Sequence, residues 1–207
     1  MGDVIVIRPR DDGDAKQASD WCDALVAKLE SDGHTVVEDV DDHTPAEEAE
    51  IVAALGRQAA LVLYFGHGDE TSWLTYDQAT VDGANVKAAA KKAVVSIACK
   101  TGHSLAPAAI GAGVSAWLGF TMKVPVVAPH KHADPVGEAI AGGLEQLGTG
   151  GTLQQARDSI ATNFHVLVDE FDTGGLKDHP AADVGYYASL AMKDRVVVHG
   201  SANHRPL

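Results

Sequence analysis

The sequence predicts an α/β protein, a three-layer α/β/α sandwich with a mostly parallel central sheet. Three observations lead there. Short apolar runs alternate with helical patterns along the 207 residues, and such alternation builds parallel sheets through crossover helices. The runs Leu61-Val62-Leu63-Tyr64-Phe65 and Ala93-Val94-Val95-Ser96-Ile97 are nearly continuous in apolar residues, as strands buried on both faces are. No repeat or low-complexity linker breaks the pattern, so residues 1–207 are expected to form one domain.

The elements follow in order. Residues 3–8 read as the first strand, followed by a Pro-, Asp- and Gly-rich turn over 9–14. Ala18, Trp21, Leu25 and Leu29 recur at helical spacing and predict an amphipathic helix over 15–31, closed by Gly33. A second strand covers 34–40. Thr44 as N-cap, Pro45 at the first helical position and Glu47 at the capping-box position open a helix that runs to Arg57. The third strand is 60–65, and a polar excursion over 66–82 holds a small hairpin around 73–81. Residues 85–92 read as a helix, 93–98 as the fourth strand, 103–110 as a short helix and 114–120 as the fifth strand. Helices over 134–147 and 153–171 precede a last strand at 195–199. Asp134 is the N-cap before Pro135.

Composition narrows the function. Hydrophobic residues make up 45%, charged residues 22% and aromatics 5%, an ordinary balance for a soluble globular protein. No stretch approaches the ~20 apolar residues that cross a bilayer. The start lacks the pattern of a secretory signal, and two cysteines suit a reducing compartment, so a cytoplasmic location is expected. The net charge of -13 argues against nucleic acid and against an anionic membrane surface. An acidic shell suits cationic substrates or partners, and it serves solubility equally well.

In a sheet of this kind the functional crevice lies beyond the carboxyl ends of the strands. Four segments qualify: 8–14, 66–70, 99–102 and 121–123. Two of them carry a base and a nucleophile, in Phe65-Gly66-His67-Gly68 and in Ile97-Ala98-Cys99-Lys100-Thr101-Gly102. Alone, such a cysteine is a small buried hydrophobe and such a histidine punctuates a loop. Together, at two strand ends one crossover apart, they predict Cys99 as a thiolate nucleophile and His67 as its base. The amides of Gly68 and Cys99 would face a developing oxyanion.

The paired His-Gly and Ala-Cys motifs, each after a hydrophobic strand, resemble those of the caspase-like cysteine peptidases. That group includes caspases, metacaspases, gingipains, clostripain, separase and the bacterial CHAT-domain peptidases. Ser96-Ile97-Ala98-Cys99-Lys100-Thr101-Gly102 and the segment 74–86 resemble the CHAT branch most. The resemblance implies a caspase-like fold, the roles given above for His67, Cys99 and Gly68, and no cofactor. It implies a protein or peptide substrate, leaves room for an activating protein partner, and suggests bacterial signalling or defence. Ile97 stands where metacaspases carry an acidic pocket residue, and no processing linker is evident.

A basic P1 residue is expected from the cluster Asp11, Asp12 and Asp14, with Asp12 and Asp14 foremost, because the segment around Asp14 resembles the metacaspase P1 pocket. Asp69, Glu70 and Trp117 are further candidates for the pocket, though Trp117 reads equally as core and the aspartates as a solvated turn with an N-cap. Arg8 or Arg10 would instead favour an acidic P1. His103 is an alternative base. His130 and His132 form a weak His-x-His pair, and no metal is expected. Two rivals stand beside the peptidase: a non-catalytic caspase-like interaction module, and a flavodoxin-like ligand-binding domain, for which Pro9-Arg10-Asp11-Asp12-Gly13 is a poor phosphate loop.

Overall fold

The apolar runs become the inner strands of a single twisted sheet. The computed structural model describes residues 2–40, 48–127 and 134–207. The chain runs β1 (Asp3–Ile7), α1 (Gly13–Ser31), β2 (Thr35–Val40), α2 (Glu48–Leu55) and β3 (Leu61–Phe65). It then forms β4 (His67–Gly68), β5 (Trp73–Thr75) and β6 (Gln78–Val81) before β7 (Ala93–Ile97). After β7 come α3 (Leu105–Gly111), β8 (Ala116–Phe120), α4 (Pro135–Leu144), α5 (Leu153–Asp172), α6 (Ala182–Met192) and β9 (Val196–Gly200). The main sheet has the order β2-β1-β3-β7-β8-β9, and β4, β5 and β6 form a small antiparallel sheet of their own.

Five neighbouring strands of the main sheet are parallel, and only β9 runs antiparallel, against β8. Every residue of β3, β7 and β8 is buried, which is why these strands read as unbroken apolar runs. On one face α1, α4 and α5 pack over Val4, Val6, Leu63, Phe65, Val95 and Leu118. On the other, α2, α3 and the small sheet pack over Ile5, Ile7, Val62, Tyr64, Val94 and Trp117.

Several helix ends follow their capping chemistry. Asp12 caps α1 by accepting from the amides of Asp14 and Ala15, and Gly33 leaves it at a positive φ of 91°. Asp134 caps α4, and Thr152 with Gln155 closes a capping box on α5. The expected caps Thr44 and Pro45, with Glu47, lie outside the described residues.

Three expectations change. Residues 85–92 hold only a 3₁₀ turn, Val86–Ala89, because the chain must reverse into β7 and does so with Lys91 at a φ of 69°. The helix expected to reach 147 ends at Leu144 and tightens into a 3₁₀ turn, Glu145–Thr149. The helix α6 is not among the elements the sequence predicts. Only Gly185, Ser189 and Met192 of it are buried, while Val184, Tyr187 and Leu190 are exposed.

Candidate active site

The pairing of β3 with β7 fixes the site. Phe65 lies opposite Ile97 in the parallel register, so His67 and Cys99 stand at equivalent positions, two residues past the paired ends. The Gly66 amide extends the ladder by one bond to the Ile97 carbonyl, at 3.2 Å. Both catalytic candidates therefore open onto the same carboxyl edge, and both are half-buried.

Gly68 must be a glycine. A Cβ there would sit 2.7 Å from Thr101 Cγ2 and 3.0 Å from Ala98 Cβ, so the strand after His67 crosses directly over the turn that carries Cys99. The fully buried Tyr64 holds that strand from below, its hydroxyl 2.7 Å from the His67 carbonyl and 3.1 Å from that of Leu74. Burial, reinforced by the charges of Asp11 and Cys99, raises the tyrosine pKa well above its ordinary value and keeps the hydroxyl a donor.

The Cys99 turn is held on its other side too. Lys100 adopts a left-handed conformation, φ 59°, and its amide donates to the Met122 carbonyl at 2.9 Å. Its ammonium lies 3.3 Å from Glu70, whose carbonyl accepts from Ser104 and Leu105 at the start of α3. The two loops are thus stitched together through residue 70.

One contact recasts an expected role. Asp12 does not stand free as a pocket carboxylate: its Oδ2 accepts from His67 Nε2 at 2.9 Å while its Oδ1 caps α1. Burial would raise its pKa, but the Ala15 amide and the His67 imidazole outweigh this and lower it, so it stays ionised. With the Nε2 proton directed at Asp12, the lone pair of the ring lies on Nδ1.

The other pocket candidates part ways. Asp14 is exposed in the first turn of α1. Asp69 spends Oδ1 on the amides and hydroxyls of Thr71 and Ser72, which lower its pKa against the opposing effect of burial. Trp117 corrects to core: it is 0% exposed, packed near Trp73, and has no surface to offer a peptide. Arg8 is held by Asp23 and Asp39, and Arg10 lies against Ser19 and Asp20, so both guanidiniums already face acids. His103 is exposed and bonds its neighbour Ser104.

Asp11 emerges in their place. Its Oδ2 accepts from the Tyr76 amide, while Oδ1 is buried with no hydrogen-bond partner. Nothing in a run of three aspartates distinguishes this one; its orientation follows from the Asp12 cap and the β5–β6 turn. Asp11, Asp12 and His67 bring ligand-type atoms within 4.8 Å of one another, a set that could hold a divalent cation at the expense of the base. The pair His130 and His132 lies outside the described residues. Cys22 and Cys99 form no disulfide, and Cys22 is fully buried on α1. Among the described residues no helix is long and apolar enough to cross a membrane.

No protein-family model matches the chain, and no curated protein matches it. Solved structures do. The Arg-specific cysteine proteinase gingipain R superposes with a TM-score of 0.63 at 15% identity, covering 97% of this chain and 46% of that one. A complex of Porphyromonas gingivalis RgpB pro- and mature domains gives 0.61 at 15% identity, covering 98% and 48%. The chain has the caspase-like fold of these proteinases and spans less than half the length of either.

Proposed function

We propose that the protein is a cysteine endopeptidase that cleaves protein substrates after a basic residue. The observation that carries this reading is the placement of His67 and Cys99 at equivalent positions past the paired ends of β3 and β7, with Asp12 on the imidazole. In this reading the Cys99 thiolate adds to the scissile carbonyl, and the carbonyl electron pair moves to oxygen. The amides of Gly68 and Cys99 receive that oxyanion. His67 gives a proton to the leaving amine and later takes one from the water that hydrolyses the thioester. Asp12 holds the ring and steadies its charged form, as the acid of a catalytic triad does.

The unpartnered Asp11 oxygen, the engagement of Arg8 and Arg10 elsewhere and the net charge of -13 all support a cationic P1 side chain over an acidic one. The Arg specificity of the structurally similar gingipain R agrees with that choice. One domain over residues 1–207, a cytoplasmic location and no need for a cofactor complete the reading. The CHAT-like motif around Cys99 favours bacterial signalling or defence, with an activating protein partner.

Matched peptides ending in Arg, Lys, Asp and Leu test the specificity. Arg and Lys should lead in kcat/KM. Asp11→Ala should reduce the Arg value by more than about tenfold, ~1.4 kcal/mol, and the Leu value far less. A preference for Asp, or Arg turnover indifferent to Asp11, would overturn the P1 assignment. Failure to cleave any peptide would favour a non-catalytic interaction module.

A further inference from the structure

A chain of buried polar groups runs beneath the site and ends on the residue before Cys99. Trp73 Nε1 donates to Ser96 Oγ at 2.9 Å, Ser96 Oγ lies 2.9 Å from Thr101 Oγ1, and Thr101 Oγ1 donates to the Ala98 carbonyl at 3.4 Å. Trp73, Ser96 and Thr101 are all 0% exposed. The direction of the chain is dictated by its ends. An indole nitrogen only donates and a carbonyl only accepts. Thr101 spends its single proton on Ala98, so Ser96 must donate to Thr101, and every hydroxyl is fixed in one sense.

The terminal acceptor matters because of what shares its peptide group. The Ala98 carbonyl and the Cys99 N–H lie on opposite sides of one planar trans peptide. Tying the carbonyl inward turns the N–H outward, toward the position an oxyanion would occupy. Hydrogen bonds in series also polarise one another, which makes that N–H a better donor.

The second candidate donor depends on the same tryptophan. Gly68 pairs with Trp73 in the β4–β5 ladder, and the adjacent pair is joined by the Asp69 amide bonding the Ser72 carbonyl. Alternation then makes Gly68–Trp73 the pair that exchanges no ladder bonds, which leaves the Gly68 N–H directed away from β5. Trp73 itself is clamped by Tyr64, with ring centroids 4.1 Å apart and planes 2° from parallel.

We infer that Ser96 and Thr101 are positioning residues that orient the two oxyanion donors, with Trp73 as their common anchor. This rests on the peptidase reading above, and it adds the device that sets the Ala98–Cys99 peptide plane. Neither hydroxyl touches substrate.

Thr101 allows a clean dissection, since its methyl packs beneath Gly68 while its hydroxyl serves the chain. Thr101→Val keeps a methyl there and removes the hydroxyl; Thr101→Ser does the reverse. Three readouts are taken on each purified full chain: hydrolysis of an Arg-P1 peptide, inhibition by the matching peptide aldehyde, and alkylation of Cys99 by iodoacetamide followed by mass spectrometry. Hydrolysis and aldehyde addition both place negative charge on a carbonyl oxygen. Alkylation displaces iodide from a saturated carbon and needs only the thiolate.

Thr101→Val should lower kcat by at least about tenfold, with KM near the wild-type value, given that deleting one oxyanion donor outright costs about 10²–10³. Aldehyde affinity should fall by a similar factor, and the alkylation rate should hold. Thr101→Ser should restore most of the loss. If Thr101→Val does not fold, Ser96→Ala should show the same pattern. Wild-type kcat in both variants, or alkylation falling in step with kcat, would overturn the inference while leaving the peptidase reading in place. A wild-type chain that is alkylated at Cys99 yet cleaves no peptide would instead remove the peptidase reading, and this inference with it.

Discussion

One face of the sheet lies under α1, α4 and α5, helices of 19, 10 and 20 residues; the other lies under α2 and α3, of 8 and 7 residues, and the small β4–β6 sheet. The first face is packed mainly with aliphatic side chains such as Leu25, Leu29, Ile140 and Ile160. The second buries Tyr64, Trp73 and Trp117 around a run of hydroxyl groups. Long helices satisfy their own backbones and need only an apolar stripe. Short irregular elements must borrow partners from one another, and those borrowed bonds hold the loops that carry His67 and Cys99 past the β3–β7 ladder. One face supplies stability, and the other supplies aim.

That contrast can be broken by mutation. The largest expected effects fall at the sheet edge: Cys99→Ala and His67→Ala should each reduce peptide cleavage by at least about a thousandfold with little change in melting temperature, measured by steady-state kinetics and circular dichroism. Leu25→Ala and Ile140→Ala should do the converse. Each opens a cavity in the helical face and should lower unfolding free energy by about 2–5 kcal/mol in denaturant titration, with kcat per folded molecule unchanged. A helical-face variant that keeps its stability but loses kcat would erase the distinction.

Asp12 sits between the two, as the cap of α1 and the partner of His67. Asp12→Asn keeps a competent capping side chain but loses the charge that steadies an imidazolium. It should reduce kcat by at least about tenfold and alter the pH profile, with only a small change in stability. Wild-type kcat in this variant would reduce Asp12 to a helix cap.

The smallest effect concerns acid. Asp12 and Asp69 have folded-state pKa values below their ordinary range. A depressed carboxylate contributes stability that is present above the unfolded value of about 3.9 and is lost as pH falls through the lower, folded value. Unfolding midpoints should therefore drop below about pH 4, and Asp69→Asn should blunt the drop. Equal acid sensitivity in the variant would remove the turn from the account.

The place of the candidate site is more legible in the sequence than its wiring. Strands such as β3 and β7 are legible because burial on both faces forces unbroken apolar runs, and their ends flag His67 and Cys99. The 3₁₀ turn at 86–89 reads as a longer helix in the sequence because Val86 and Ala89 have helical spacing, while the reversal at Lys91 carries no residue signature. The helix α6 is hard to read because apolar residues lie all round it, Val184, Tyr186, Tyr187, Leu190 and Met192 among them, so no single face stands out. Among three neighbouring aspartates, composition could not separate the cap on the imidazole from the carboxylate with a free oxygen. Only the direction of the turn after β1 does that.

The most direct measurement is labelling of the native chain with a peptidyl-arginine chloromethyl ketone, read by intact-mass and peptide mass spectrometry. One adduct is expected, on Cys99, with none on the buried Cys22 and a much slower rate in His67→Ala. Modification of Cys22 in place of Cys99, or undiminished labelling of Cys99 without His67, would contradict it.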